Sequence, residues 1–305
     1  MSETTRRAFL REAGRCSLAM LAAQAAPGVL RATPLGGPVG IQLYAVRDTL
    51  RAEPAATLKA LRAIGYGEVE AAGFAGLSVR RFRALLDEAG LGCPSAHLAF
   101  DPDNLGAAFD DAHALGARYA ASGSLRALVQ RDLPEAAAAD SGMSLEEARH
   151  TAALANHIGE RAARVGLQYV YHNHDFEFAD QGGGAIGYDL LLKETDPRLV
   201  KFEIDCGWMT LGGRDPRKYF ARYPRRFPMI HVKDFLRSAA GPRGPGAPAA
   251  AGAELGHGMI DYRPILAAAE KAGLKHYFAE QEGPFTRMTE LEAARQAYQY
   301  LSRLP

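Results

Sequence analysis

Residues 144–174 read SLEEARHTAALANHIGERAARVGLQYVYHNH, and the reading of this stretch decides the fold. Ser144 to Val165 has the apolar spacing of a helix, Gly166 supplies the C-terminal stop, and Leu167 to His172 is a short apolar strand. Working outward, the same unit recurs along the chain. Strand-type runs fall at Val39 to Tyr44, Gly67 to Ala72, Cys93 to Phe100, Tyr119 to Ser122, Val200 to Asp205, Pro228 to Lys233 and His276 to Gln281. Helical spacing falls at Ala55 to Ala63, Val79 to Ala89, Leu105 to Leu115, Tyr188 to Glu194, Arg217 to Tyr223, Tyr262 to Ala272 and Glu290 to Leu301, with Gly65, Gly90, Gly116 and Gly273 as further stops. Strands alternating with helices give a parallel sheet, and eight such units predict a closed (β/α)8 TIM barrel in a single domain. No G-x-G-x-x-G or P-loop pattern follows a strand, which disfavours a nucleotide-binding fold.

Two regions read as insertions into the repeat. Arg126 to Gly142 is rich in Ala and Asp, and Arg237 to Gly258 contains Gly-Pro-Arg-Gly-Pro-Gly-Ala-Pro. The second cannot pack a core and reads either as a lid or as a surface excursion.

A chain of 305 residues, 48% hydrophobic, is long enough to bury one large core without a second domain. Its 36 basic and 35 acidic residues leave a formal charge of +1, which offers no field for nucleic acid or for an anionic membrane. The N-terminus stands apart. Thr5-Arg6-Arg7-Ala8-Phe9-Leu10-Arg11 precedes an apolar stretch from Leu18 to Ala26 that is too short to span a bilayer. This resembles a cleavable twin-arginine export signal. Residues 1–32 are accordingly read as signal peptide and linker, and residues 33–305 as the barrel. The reading predicts a periplasmic or exported protein, handled by the twin-arginine export machinery and without a membrane anchor once the leader is removed. Of Cys16, Cys93 and Cys206, the first lies in the leader and the other two fall on strands far apart around a barrel, so no disulfide framework is expected.

Polar residues recur at i, i+2 near the C-terminal ends of the strands, where alternation puts both members on one face. The pairs are Gln42 with Tyr44, Glu68 with Glu70, Ser95 with His97, His172 with His174, Glu203 with Asp205, His231 with Lys233, and Glu280 with Glu282. In a barrel that face is the interior, and the mouth at those strand ends is where active sites sit. Burying so many ionisable groups is costly unless they bind something. Imidazole with carboxylate suits a first-row divalent ion. Glu203 with Lys233 as a structural ion pair is the plain alternative.

Six motifs in order resemble the sugar phosphate isomerase/epimerase superfamily of xylose isomerase-like barrels. They are Gly40 to Tyr44 with Arg47-Asp48, Tyr171 to Phe178, Glu203 to Trp208, Ile230 to Asp234, Gly256 to Asp261 and Phe278 to Gly283. The resemblance covers nearly all of the chain after the leader. It implies one divalent metal ion, Mn for preference with Fe, Co, Zn or Mg as alternatives, held by His172, Asp205, His231 and Glu280. His172 takes its place where many relatives have the Glu of Glu-Asn-His, with His174 as its replacement. It further implies removal of a proton alpha to the carbonyl of a non-phosphorylated sugar, keto-sugar or glycoside through an enediolate, as in an isomerase or epimerase. Glu280 is the expected base, with His174, Lys233, Glu282 and Glu177 as further proton carriers. Gln42, Tyr44, His97, Trp208, His257 and Glu282 are the expected substrate contacts, although packing is the default role for aromatics such as Trp208 and Phe285. Collapse of the enediolate by elimination, as in the breakdown of 3-keto-glycosides, is the lyase alternative. A phosphodiesterase or endonuclease-like barrel and a non-catalytic carbohydrate-binding barrel are further alternatives, and a homo-oligomer is left open.

Overall fold

In the computed structural model, which describes residues 36–131, 142–237, 251–282 and 288–304, the repeat closes on itself. Strands β1 (Gly40–Gln42), β2 (Glu68–Ala72), β3 (Gly92–His97), β4 (Tyr119–Ser122), β5 (Gln168–His172), β6 (Val200–Asp205), β7 (Met229–Val232) and β8 (His276–Ala279) form one parallel closed barrel in chain order. The closing pair is β8 with β1, through Phe278 beside Gly40 and Ala279 beside Ile41. Gly40 is required there, because a Cβ would stand 2.5 Å from Cδ1 of Phe278.

Strand alternation sorts the side chains into two cores. Outward residues such as Ile41, Val69, Ala96, Tyr169, Phe202, Ile204 and Ile230 pack under the helices in one large cluster. Tyr119, Ala121, Val170, Met229 and Phe278 point inward and make a smaller apolar cluster of their own. The barrel is therefore filled, and its polar chemistry is displaced upward to the strand ends.

Local signals set the helix boundaries. Ser78, Ser144 and Thr289 accept hydrogen bonds from the third backbone N–H of the helices Val79–Ala89, Leu145–Arg164 and Glu290–Leu301, and Thr289 completes a capping box with Glu292. Gly90 and Gly116 take left-handed conformations behind their helices.

Several strands are shorter than the sequence pattern suggests. β1 stops at Gln42 because Leu43–Val46 turns into a 3-10 helix, so Gln42 and Tyr44 do not share a face. β3 ends at His97, β7 at Val232 and β8 at Ala279, which leaves Lys233 and Glu280 just beyond their strands. The stretch after β7 is better anchored than a free excursion. Gly252–Ala253 pairs antiparallel with Asp234–Phe235, and the Asp234 carboxylate accepts hydrogen bonds from the backbone of Phe235, Gly256, Gly258 and Ile260. In the other insertion, Arg126–Arg131 is a helix, tied by Arg126 Nε to the buried Glu147 at 3.0 Å. The proposed leader with Cys16, the Pro- and Gly-rich run 238–250, residues 132–141 and Phe285 lie outside the described residues. Cys93 and Cys206 are free and buried. No helix among the described residues is long and apolar enough to cross a membrane.

Candidate metal centre

Parallel pairing brings three donors to one height. Asp205 stands beside His231 in the β6–β7 register, and the Glu280 N–H bonds to the Val232 carbonyl at 3.0 Å. His231 Nδ1 lies 3.1 Å from Oε2 of Glu280 and 3.9 Å from Oδ2 of Asp205. All three residues are buried, and their donor atoms fall within 4.8 Å of one another. Lys233 Nζ reaches into the same place, 2.8 Å from Glu280, 3.4 Å from Asp205 and 2.5 Å from Glu282. Asp205 Oδ1 caps the helix Cys206–Leu211 by accepting from the Trp208 N–H at 2.8 Å, whereas its buried Oδ2 has no hydrogen-bond partner. The Lys233 ammonium at 3.4 Å offers that oxygen charge without a hydrogen bond, which leaves a buried carboxylate oxygen under-satisfied. A divalent ion would complete it, and one nitrogen with two carboxylates is a donor set for a first-row divalent ion. These residues fit such an ion.

Electrostatics separates the two carboxyls. Burial opposes the ionisation of Glu280, but the charges of Lys233 and His231 hold it well below the usual carboxylate range. Burial also dominates at Asp205 and, with Glu280 beside it, outweighs Lys233 and pushes the pKa up to about 7. Lys233 stays protonated because Glu280, Asp205 and Glu282 overcome the cost of its burial.

A second polar layer lies against this one. His231 Nε2 bonds to Glu70 Oε2 at 2.7 Å, and Ser95 Oγ donates to Glu70 Oε1 at 2.6 Å. His97 Nε2 and His172 Nδ1 both bond to Glu203 Oε2, at 2.9 and 3.2 Å. Burial disfavours the charged form of His97, yet Glu70 and Glu203 raise its pKa to about 10. Burial, reinforced by the charge on His231, pushes His172 down to about 3 and leaves it neutral. Donor atoms of His97, His172, Glu203 and His231 also fall within 4.8 Å of one another. Nε2 of His231 also lies 3.1 Å from Glu203 Oε2, so three imidazoles gather around one buried carboxylate oxygen. These residues form a second donor group, joined in this structure as a hydrogen-bond network.

A family model described as the xylose isomerase-like TIM barrel matches residues 58–304. The chain belongs to that family. An inosose dehydratase of Lacticaseibacillus casei is 32% identical over 155 residues, which is 47% of this chain and 50% of the relative. The chain thus spans about half the length of the curated relatives it matches. A sugar phosphate isomerase/epimerase from Parabacteroides distasonis superposes with a TM-score of 0.71 at 24% identity, over 93% of this chain and 98% of that one. The IOLI protein, solved with a bound zinc atom, superposes at 0.64 with 10% identity, over 87% and 96%. Likeness at such identities speaks for the fold alone.

Within this xylose isomerase-like barrel the expected site residues part company. Asp205, His231 and Glu280 converge. His172 stands in the other donor group and turns Nδ1 to Glu203, because its strand neighbour in the β5–β6 register is Glu203 rather than Asp205. His97 belongs to the same lower network. The Glu203–Lys233 pair does not form: Glu203 is bonded to histidines and Lys233 to Asp205, Glu280 and Glu282. His174 packs between Phe176 and Trp208, and Trp208 lies under Lys233 Nζ at 4.7 Å, so these side chains wall the mouth. Gln42 is buried and caps the Tyr44 N–H, while Tyr44 is 43% exposed with Arg47 over its ring. His257 is exposed and lines a separate cleft with Arg295, Gln299 and Tyr300. Glu70 and Ser95 appear in the alternating pairs without an assigned role, yet they back the central histidine.

Glu177 is fully buried, accepting from Tyr171 OH at 2.9 Å and from the His174 N–H at 3.0 Å. It faces no donor of the ion site. Burial raises its pKa to about 8. The folded state therefore binds a proton that the unfolded chain releases near the ordinary carboxyl value, and this contribution to stability is lost as pH rises toward 8. Glu177→Gln keeps both hydrogen bonds, since Tyr171 OH can accept from the amide. Its Tm is expected to fall less than that of the wild type between pH 5 and 9, by a margin of several degrees in thermal melts. Parallel Tm curves would show that Glu177 does not carry that proton.

Proposed function

We propose that the protein removes the proton alpha to the carbonyl of a non-phosphorylated, polyhydroxylated ketone and then expels the hydroxyl beta to it, a dehydration. The observation that carries this reading is that the Lys233 ammonium, ion-paired with Asp205, Glu280 and Glu282, and the His174 imidazole, with a buried Nδ1 that has no hydrogen-bond partner, both lie against Trp208 at one mouth. Lys233 is protonated against three carboxylates. His174 is kept neutral by burial and by the neighbouring positive charges, and its buried Nδ1 has no hydrogen-bond partner. Asp205, His231 and Glu280 would hold a divalent ion, Mn(II) for preference, and the ion would supply Lewis-acid polarisation of the carbonyl.

In this scheme His174 accepts the alpha proton, and the electron pair of that C–H bond passes into the enediolate. The pair then forms the new double bond as the beta C–O bond breaks, and Lys233 gives the leaving hydroxide the proton that makes it water. Two-base epimerisation is disfavoured, because it needs a second carboxylate on the opposite face and Glu177 is committed to Tyr171 and His174. The relatives named inosose dehydratase support the elimination branch. A phosphate is disfavoured because the ammonium at the mouth is already committed to Asp205, Glu280 and Glu282.

The test is a screen of polyhydroxylated cyclohexanones and free keto-sugars with Mn(II)-loaded protein in deuterated water. Proton NMR is expected to show loss of the alpha signal, together with an absorbing unsaturated product. A protein that exchanges no alpha proton on any such ketone while cleaving a phosphodiester sinks the reading.

A further inference from the structure

The dehydration scheme leaves one fully buried carboxylate without a part. Glu70 sits on β2, which contributes no donor to the ion site, yet its two oxygens are both engaged at the barrel centre. Oε1 accepts from Ser95 Oγ at 2.6 Å, and Oε2 accepts from His231 Nε2 at 2.7 Å. An imidazole that gives Nε2–H to a carboxylate keeps its Nδ1 lone pair for a metal. Nδ1 of His231 is the atom that faces Glu280 and Asp205, at 3.1 and 3.9 Å. Glu203 is the second carboxylate near that nitrogen, with Oε2 3.1 Å from His231 Nε2 and also accepting from His97 and His172, but Glu70 makes the shorter contact at 2.7 Å.

We propose that Glu70, braced by Ser95, is the positioning residue of the ion site: it receives Nε2–H of His231, fixes the ring plane and so turns Nδ1 toward the ion. The inference rests on the reading of Asp205, His231 and Glu280 as ligands. Strand β2 thereby governs the affinity of a site built on β6, β7 and β8. Loss of the outer partner of a ligating histidine typically weakens metal binding by about 10–100-fold.

The experiment titrates the full chain with Co(II) alone, as wild type, Glu70→Gln, Glu70→Ala and Ser95→Ala, reading affinity by equilibrium dialysis and coordination geometry by visible absorption. Glu70→Ala is expected to bind about 10–100-fold more weakly with an altered absorption band. Glu70→Gln keeps an acceptor oxygen without the charge and should fall between it and the wild type. Ser95→Ala leaves Glu70 in place without its brace, should lose several-fold, and decides the matter if the Glu70 variants fail to fold. A purely structural role would lower Tm and leave the spectrum of the bound ion unchanged, which overturns the inference. Wild-type affinity and spectrum in Glu70→Gln and Ser95→Ala overturn it as well, with the ligand assignment intact. A wild type that takes up no Co(II) overturns the ligand assignment and the inference with it.

Discussion

Asp205→Asn is expected to abolish uptake of a divalent ion and to lower kcat/KM by roughly 10²–10³-fold, the scale of removing one preorganised electrostatic group. The substitution is close to isosteric. Asn Oδ1 can still accept the Trp208 N–H that Asp205 holds at 2.8 Å, so the start of the helix Cys206–Leu211 survives. What changes is Oδ2, the buried oxygen without a hydrogen-bond partner, which becomes an amide pointing N–H groups toward Lys233 Nζ, 3.4 Å away. The site loses the charge that a cation needs and gains a second donor where one already stands.

The same residue makes ion uptake depend on pH. Burial and the adjacent Glu280 raise Asp205 to about 7, so proton and ion compete for one carboxylate. Wild-type affinity should strengthen as pH rises from 6 to 8 and go on rising above it, because against the cost of burial Glu203, Glu280 and Glu70 hold a proton on His231 that the ion must displace as well. The Asn variant should show a weaker and flatter profile. Metal content after desalting, with titrations at three pH values, checks both points. An Asn variant that retains stoichiometric ion at wild-type affinity would remove Asp205 from the ligand set.

The barrel itself was legible because each helix, stop and strand leaves a local trace, as in Ser144 to His172. The convergence of Asp205, His231 and Glu280 was legible for a related reason: strand alternation and strand-end position are local properties, and parallel pairing does the rest. His172 marks where that logic stops. Its position in the chain matches a ligand, but the direction of its ring is set by Glu203 on the neighbouring strand, and only the β5–β6 register reveals that neighbour. The pairing of Gln42 with Tyr44 on one face fails differently. Alternation assumes that the strand continues, and β1 turns at Leu43. Glu70 was visible as half of an i, i+2 pair, but its partner lies 161 residues away, and nothing near either residue encodes the contact. His257 sits in a promising motif, yet the Asp234 carboxylate gathers the neighbouring backbone of Gly256 and Gly258, and the His257 side chain faces the last helix.

Lys233→Met is expected to separate the two halves of the proposed dehydration. Methionine keeps the length of the side chain and can rest its sulfur on the Trp208 ring that Lys233 Nζ overlies at 4.7 Å. Only the ammonium is lost. The wild-type lysine is protonated despite burial, because Glu280, Asp205 and Glu282 stabilise its charge, so at neutral pH it gives a proton and does not take one. If its proton goes to the departing hydroxide, the variant should still exchange the alpha proton of a polyhydroxylated ketone with deuterated water, within about tenfold of the wild-type rate. Formation of the unsaturated product should fall by roughly 10²–10⁴-fold, the usual share of a general acid. Without its ion, the variant also leaves Asp205 and Glu280 buried beside each other with no ammonium between them. The rise in Tm on adding Mn(II) should therefore be larger in Lys233→Met than in the wild type. Equal losses of exchange and elimination would place Lys233 at the proton-abstraction step instead. Unchanged elimination would exclude it as the acid, and the leaving group would then have to draw its proton from another group at the mouth, with Glu282 the first to test because it already lies 2.5 Å from Lys233 Nζ.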